Sequence, residues 1–379
     1  MAEAAASQSY ATGAETNPPI GYEAFCAEFA QRARAGRLHH GWVLAGPSGI
    51  GKSKLARWLA AWLIAGRAET EGDAGSGGLF GPDETADQSA DAHIGGNEMF
   101  ADLEANLDAH QVLQGVHPDF LMIEAEISEK NKSGQIKIEQ IRKMGSFAAQ
   151  TSGRGGWRVM IIDSMEAVNR NGANAMLKIL EEPPEKTVIF LLSSQPENLL
   201  PTIRSRISLA RLPVLSSQQV MAISHNLRPD IEADELAILT QLSYGSPGRL
   251  LALVDSGVIP LYLESCALFA QPKPSANQAL MLASQWGPGG MKGAPVRQLA
   301  LYLFDQLLSA AACRALGHAI NDQKPEVVIA AEQALAQRHE ANKLAELHAK
   351  TISQIQQAEA LYLDFPAVMG QIFHAICNK

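Results

Sequence analysis

The run Gly46-Pro47-Ser48-Gly49-Ile50-Gly51-Lys52-Ser53 limits the fold more than any other stretch of this chain. It reads G-x-x-x-x-G-K-S. The apolar segment Trp42-Val43-Leu44-Ala45 precedes it and an apolar-periodic segment, Leu55 to Ile64, follows it. A buried strand, a glycine-rich turn and a helix in that order form a phosphate cradle. Glycine admits turns that a Cβ obstructs, so several backbone N–H groups can converge on one anion. In such a cradle Lys52 brings a point charge to the β- and γ-phosphates, and the Ser53 hydroxyl ligates Mg²⁺. A chance glycine-rich turn is the competing reading, and the filled positions with both correct flanks weigh against it.

The same alternation continues for half the chain. A helix is expected over Tyr22 to Arg37, with Phe25, Phe29 and Ala33 on one face. Further strands are expected over His117 to Ile123, Trp157 to Asp163, Thr187 to Ser194 and Ile207 to Leu212. The helices between them run over Met99 to Leu113, Ile136 to Met144, Ala167 to Glu182 and Pro196 to Arg206, with Pro183-Pro184 stopping the third. Apolar strands alternating with helices predict an α/β domain: a parallel sheet with helices on both faces. Beyond Pro213 the strand signals fade. Ser217 to Leu253 reads as three short helices, and from Leu261 only helical periodicity remains, as in Leu299, Leu303 and Leu307 and again in Ile352, Ile355, Leu361, Leu363, Val368 and Ile372. The predicted order is a disordered tail over 1–20, a nucleotide-binding α/β domain over 21–213, a small helical domain over 214–258 and a larger helical domain over 259–379. Within the first, no Lys or Arg occurs between Arg67 and Lys130, and 69–97 reads as a flexible acidic insertion.

Composition removes several classes. With 379 residues, more than one core is expected. No apolar run is long enough to span a bilayer and no signal segment is evident, so the cytosol is the expected compartment and no membrane partner is expected. A formal net charge of −9 argues against a chain that coats nucleic acid through its own field. The four cysteines, Cys26, Cys266, Cys313 and Cys377, lie far apart, away from any metal-ligand spacing. They read as buried free thiols, and zinc is not expected. The pair His39-His40 sits where a strand begins. Neighbours on a strand point to opposite faces, so the pair reads as ordinary polar residues and not as a metal site.

The Mg²⁺ site needs a partner strand, and Val159-Met160-Ile161-Ile162-Asp163 fits, with Asp163 reaching the ion through water or Ser53. Hydrolysis needs a carboxylate that activates water. In P-loop ATPases that use a D-E pair, that Glu directly follows the Asp. Here Ser164 follows, and Glu166, three positions on, is expected to point elsewhere. Poor hydrolysis at this site is the inference.

Asn174-Ala175-Met176-Leu177-Lys178-Ile179-Leu180-Glu181-Glu182-Pro183-Pro184 resembles the N-A-L-L-K-x-L-E-E-P-P run of bacterial clamp-loader subunits in the AAA+ family. Leu199 to Ile207, ending in Ser205-Arg206-Ile207, is similar to the segment that ends in that family's S-R-C motif. The resemblance covers Leu38 to about Leu253. It implies an AAA+ domain, a helical lid and an all-α collar, and a place in the DNA polymerase III holoenzyme. It divides subunits into motors, which hydrolyse ATP and carry D-E-x-H, and a stator, which lends an arginine to its neighbour. Asp163-Ser164-Met165-Glu166 departs from the motor pattern, and His117-Pro118-Asp119 and the tail-less helical end are similar to the stator. The resemblance therefore implies that Arg206 acts in trans as an arginine finger, against the competing reading of an arginine salt-bridged on its own surface, a role that falls rather to Arg204. It implies that Ser193 or Ser194 takes the first-sensor place beside the nucleotide. Arg249, one residue late after Gly245-Ser246, is turned away from the second-sensor place. Lys178 falls on an exposed helix face or a subunit contact.

Many stators carry a four-cysteine zinc module after the first helix, which the acidic insertion here lacks, and many have a ruined phosphate loop, which is intact here. ATP with Mg²⁺ is thus the implied cofactor, bound weakly or without hydrolysis. The implied partners are the tau/gamma and delta subunits, with the sliding clamp and primer-template DNA reached through the complex. Two other readings remain: a true motor ATPase using Glu166 or another base, and a P-loop kinase for a small molecule.

Overall fold

The computed structural model describes residues 17–68, 99–125, 134–149, 156–287, 294–320 and 323–378. Most of the expected tail over 1–20 and the acidic insertion over 69–97 lie outside the described residues. The described chain divides into two units, 17–219 and 220–378.

The first unit is built on five strands, β1 Gly41–Ala45, β2 Phe120–Glu124, β3 Arg158–Asp163, β4 Thr187–Ser193 and β5 Ser208–Arg211, in the order β2-β3-β4-β1-β5. Every pairing is parallel. β1 and β4 are buried throughout and β3 up to Asp163. Covered on both faces, they read in sequence as unbroken apolar runs. β2 and β5 form the two edges and are only half-buried.

Helices α1 Glu23–Arg34 and α2 Lys52–Ile64 cover one face. There the Phe29 ring lies 5.7 Å from Trp42, 5.8 Å from Phe190 and 6.4 Å from Trp62, centroid to centroid. A short helix α3, Leu107–Leu113, packs beside α2. On the other face α4 Ile138–Ala149 and α5 Arg170–Glu181 bring Ile141, Met144, Met176 and Leu180 against Val43, Met160, Ile162, Ile189 and Leu191. The alternation of strand side chains sends Trp42 and Leu44 to one layer and Val43 and Ala45 to the other.

Several expected elements are shorter than their apolar patterns. The helix expected over Met99 to Leu113 is broken by turns after Met99 and forms again from Leu107, where the Asn106 side chain accepts from the Ala109 N–H at 3.0 Å and sets the start. Likewise α5 starts at Arg170, capped by Asn169 onto Gly172 N at 2.9 Å, and a separate 3₁₀ turn, Met165–Ala167, precedes it. The segment Pro196 to Arg206 splits into a 3₁₀ turn, Pro196–Asn198, and a single turn α6, Pro201–Arg204. Pro201 has no N–H to continue a helix and starts a new one instead.

Helix α7, Ser217–Leu227, spans the division between the units. The rest of the second unit is helical among the described residues: α8 Ala233–Ser243, α9 Pro247–Ser256, α10 Ile259–Ala270, α11 Ala276–Ser284, α12 Ala294–Ala315, α13 Glu326–Arg338, α14 Ala341–Ala360 and α15 Phe365–Cys377. Its core is aromatic, with Phe304 5.2 Å from Trp286 and 5.8 Å from Phe373. The wholly buried Glu332 is compensated by Arg314 Nε at 2.9 Å and Lys324 Nζ at 2.5 Å. Leu361 and Leu363, expected on a helical face, are instead exposed in the turn between α14 and α15. Tyr362, at φ 54°, lies in that turn in the left-handed region, which ends the helix. No single described helix is long and apolar enough to cross a membrane.

Candidate functional site

Because β4 pairs with both β1 and β3, the carboxyl ends of these three strands stand side by side. In an open parallel sheet that edge is where ligands bind. Here β1 feeds the glycine-rich turn, β4 ends at Ser193 and β3 ends at Asp163. Ala45 is in register with Ser193, and the Gly46 N–H donates to the Ser193 carbonyl at 3.1 Å. The strand order therefore sets Ser193 between the turn and the strand of Asp163.

The turn has the backbone that its sequence predicts. Gly49 and Gly51 have φ of 75° and 98°, in the left-handed region. A Cβ on Gly46 would stand 2.6 Å from Ile50 Cδ1 and 3.2 Å from the Leu212 carbonyl oxygen. Helix α2 begins at Lys52, and its cap, Gly51, has no side chain with which to satisfy the first-turn donors. Pro47 and Gly49 are exposed, Ser48, Lys52 and Ser53 are half-buried, and Ile50 is buried. Lys52 Nζ donates to the carbonyls of Gly46 at 2.8 Å and Pro47 at 2.9 Å. The buried Tyr22 hydroxyl donates to the Ile50 carbonyl, which ties the residue ahead of α1 to the turn. Sequence reading missed this strap, since a lone tyrosine carries no signal for a partner so distant in the chain.

The carboxylate beyond Asp163 does not point away from this edge as expected. Glu166 lies in the 3₁₀ turn, and its Oε1 accepts from Ser193 Oγ at 2.6 Å, Ser194 N at 2.9 Å and Gln195 N at 3.0 Å. Burial alone would raise its pKa, but the hydrogen bonds led by Ser193 outweigh burial and hold it below the ordinary carboxylate range. A carboxylate whose pKa is lowered is a weaker general base than an ordinary one. Ser193 is fully buried, and its single hydroxyl proton is committed to Glu166. Ser194 contributes its backbone N–H to the same oxygen.

Arg206 lies between α6 and β5, on the rim of the first unit. Its Nη1 donates to the Thr202 carbonyl at 2.8 Å and to Ser205 Oγ at 3.1 Å, and its Nη2 stands 2.9 Å from Glu181 Oε1. The two side chains are 35% and 48% exposed, so this is a surface pair. Arg204 and Lys178 are exposed. Arg249, in the second unit, sits 3.8 Å from the Tyr302 ring centroid, a cation–π contact.

His39 and His40 do not diverge as expected for strand neighbours. They precede β1, and their rings stack at 4.4 Å, with His40 Nε2 bonded to the Leu180 carbonyl at 2.9 Å. All four cysteines are free, but only Cys26 and Cys266 are buried; Cys313 and Cys377 are half-buried. Burial pushes the Cys26 and Cys266 thiols up to about 12, which leaves them unreactive. Among the described residues no group of three or more His, Cys, Asp or Glu could hold a metal ion. The donor set at the turn instead suits Mg²⁺ carried in by phosphates, an ion that takes one or two protein oxygens and keeps its waters.

Residues 76–216 match the family model described as DNA polymerase III, delta subunit. Over 220 residues the chain is 34% identical to the DNA polymerase III subunit delta' of Pseudomonas aeruginosa, covering 58% of this chain and 57% of that one. Against subunit delta' of Escherichia coli the identity is 32% over 176 residues, 46% of this chain and 51% of that one. The E. coli tau subunit matches at 26% over 243 residues, 63% of this chain and 32% of that one. The chain thus spans roughly a third to three fifths of the length of these curated relatives.

Proposed function

We propose that this chain, a relative of the delta prime subunits of DNA polymerase III, is the stator of a clamp loader. Its first unit is an AAA+ domain, and its helices beyond Val220 supply a lid and a collar that join related subunits, tau/gamma and delta, in a ring. Arg206 reaches the γ-phosphate held by a neighbour and stabilises charge in the transition state. Hydrolysis there drives release of a sliding clamp onto primed DNA in the cytoplasm. Contacts to DNA are to phosphates and are shared among subunits. The chain's own turn binds Mg-ATP through Lys52, Ser53 and Asp163 and turns it over slowly or not at all.

The observation that carries this reading is the contrast at the two carboxylates. The place after Asp163 holds Ser164, and Glu166 is engaged by three donors at the end of β4. That supports a stator over a motor, because a carboxylate whose Oε1 is already engaged by three donors is a poorer base toward an attacking water. The test is ATP turnover by the loader assembled with Arg206→Ala. A fall of about tenfold or more at the neighbouring site, with assembly intact, is expected for a lost finger. Unchanged turnover, or rapid DNA-stimulated hydrolysis by the isolated chain that Lys52→Ala abolishes, would favour the motor reading.

A further inference from the structure

We infer that Glu181 is a holding site for Arg206, a carboxylate that keeps the guanidinium on its own subunit until a neighbouring triphosphate takes it. The inference rests on the proposed role of Arg206 and adds a second residue to it. Glu181 closes α5, and Arg206 follows α6, so the pair joins two elements and is not a by-product of helical spacing.

Local helix chemistry does not explain a carboxylate at this position. The C-terminus of a helix carries partial negative charge and favours Lys, Arg or His, yet here Glu181 and Glu182 stand together at the end of α5. Arg206 compensates one of them, at 2.9 Å. On the arginine side, Thr202 O and Ser205 Oγ engage Nη1, and Glu181 engages Nη2. Of the five donors of a guanidinium, these contacts use three and leave two for a phosphate. The first pair of contacts comes from the residue's own turn. The contact with Glu181 is the one that a competing anion exchanges.

Exchange is energetically easy. Both partners are on the surface, and an exposed pair of this kind biases an equilibrium by no more than about fivefold. A triphosphate carries several charges against the one of Glu181, and an interface that excludes water strengthens the new pair. The holding site therefore does not block the finger. It lowers the fraction of time that Arg206 spends extended, and so damps turnover before the ring has closed on DNA.

The experiment uses the loader reconstituted with its cognate motor and delta subunits, in four versions: wild type, Glu181→Gln, Arg206→Ala and the double variant. Turnover is measured without DNA, at low and high salt, with assembly checked by size. Glu181→Gln is expected to raise turnover by about two- to fivefold at low salt. The gain should shrink toward none near 0.5 M salt, where screening weakens the wild-type pair as well. In the Arg206→Ala background the Glu181 substitution should have no effect. If Arg206→Ala lowers turnover but Glu181→Gln leaves it unchanged or lowers it, the holding site is refuted and the finger stands. An Arg206→Ala loader with wild-type turnover removes both.

Discussion

The glycine-rich turn and the Arg206 corner belong to one unit and are made in opposite ways. In the turn, polar groups are tied to backbone: Lys52 to Gly46 and Pro47, Gly46 to Ser193, and Tyr22 to Ile50. At the corner a guanidinium leans on one surface carboxylate and on two oxygens of the preceding turn. Breaking a buried hydrogen bond such as that of Tyr22 to Ile50 without replacing it costs about 1–3 kcal/mol. Parting an exposed ion pair costs about 0–1 kcal/mol. The turn is thus held by several bonds to backbone, and the corner by one exposed ion pair and two contacts within its own turn.

The comparison is most sharply tested through turnover. Arg206→Ala should give the largest change, the loss of about tenfold or more described above, whereas Lys52→Ala in this subunit should leave the neighbour's chemistry largely intact. Equal losses from the two would erase the distinction between giver and receiver. Next in size is binding by the isolated chain. Lys52→Ala should weaken Mg-ATP binding by about tenfold or more, since hydrogen bonds from a charged donor contribute about 1.5–3 kcal/mol. Calorimetry reads this directly, and no heat from the wild-type chain at millimolar nucleotide would mean that the turn is only a structural relic.

A third measurement addresses the clasp between β3 and β4. Glu166→Ala leaves the buried Ser193 hydroxyl without its acceptor, and a loss of about 1–3 kcal/mol in urea unfolding is expected. If turnover rose instead, Glu166 would be acting as a brake on chemistry and not as a clasp. The smallest effect is on pH dependence. The folded-state pKa of Glu166 lies below its ordinary value, so its charge contributes stability above the unfolded pKa. That contribution should be lost as pH falls through the depressed folded value, and Glu166→Gln should flatten this part of the acid limb. An identical acid limb in the two proteins would mean that the clasp does not depend on charge.

Much of this was legible in the chain itself. The five strands lie within a few residues of the apolar runs that predict them, because β1, β3 and β4 are covered on both faces. The errors fall where a cap or a proline overrode a pattern, as at Asn106, Asn169 and Pro201. Leu361 and Leu363 mislead for another reason: apolar spacing alone cannot distinguish a core face from an exposed turn. At the site, the strand–turn–helix was readable and the pairings across the sheet were not. Glu166 was expected to turn away, yet it closes onto Ser193, and Glu181, expected at a helix end or a subunit interface, meets Arg206 of its own chain.

By itself the sequence determined the features whose causes are local. The glycines that shape the turn after β1, the prolines that stop α5 and start α6, and the apolar runs that become buried strands act through neighbours a few residues away. Only the tertiary structure decided which distant groups meet. The crossovers that place β4 between β1 and β3 bring Glu166 to Ser193, and the packing of α6 beside the end of α5 brings Arg206 to Glu181. Such contacts join segments whose spacing in the chain carries no geometric information, so they exist only once the sheet has fixed the strand ends in space.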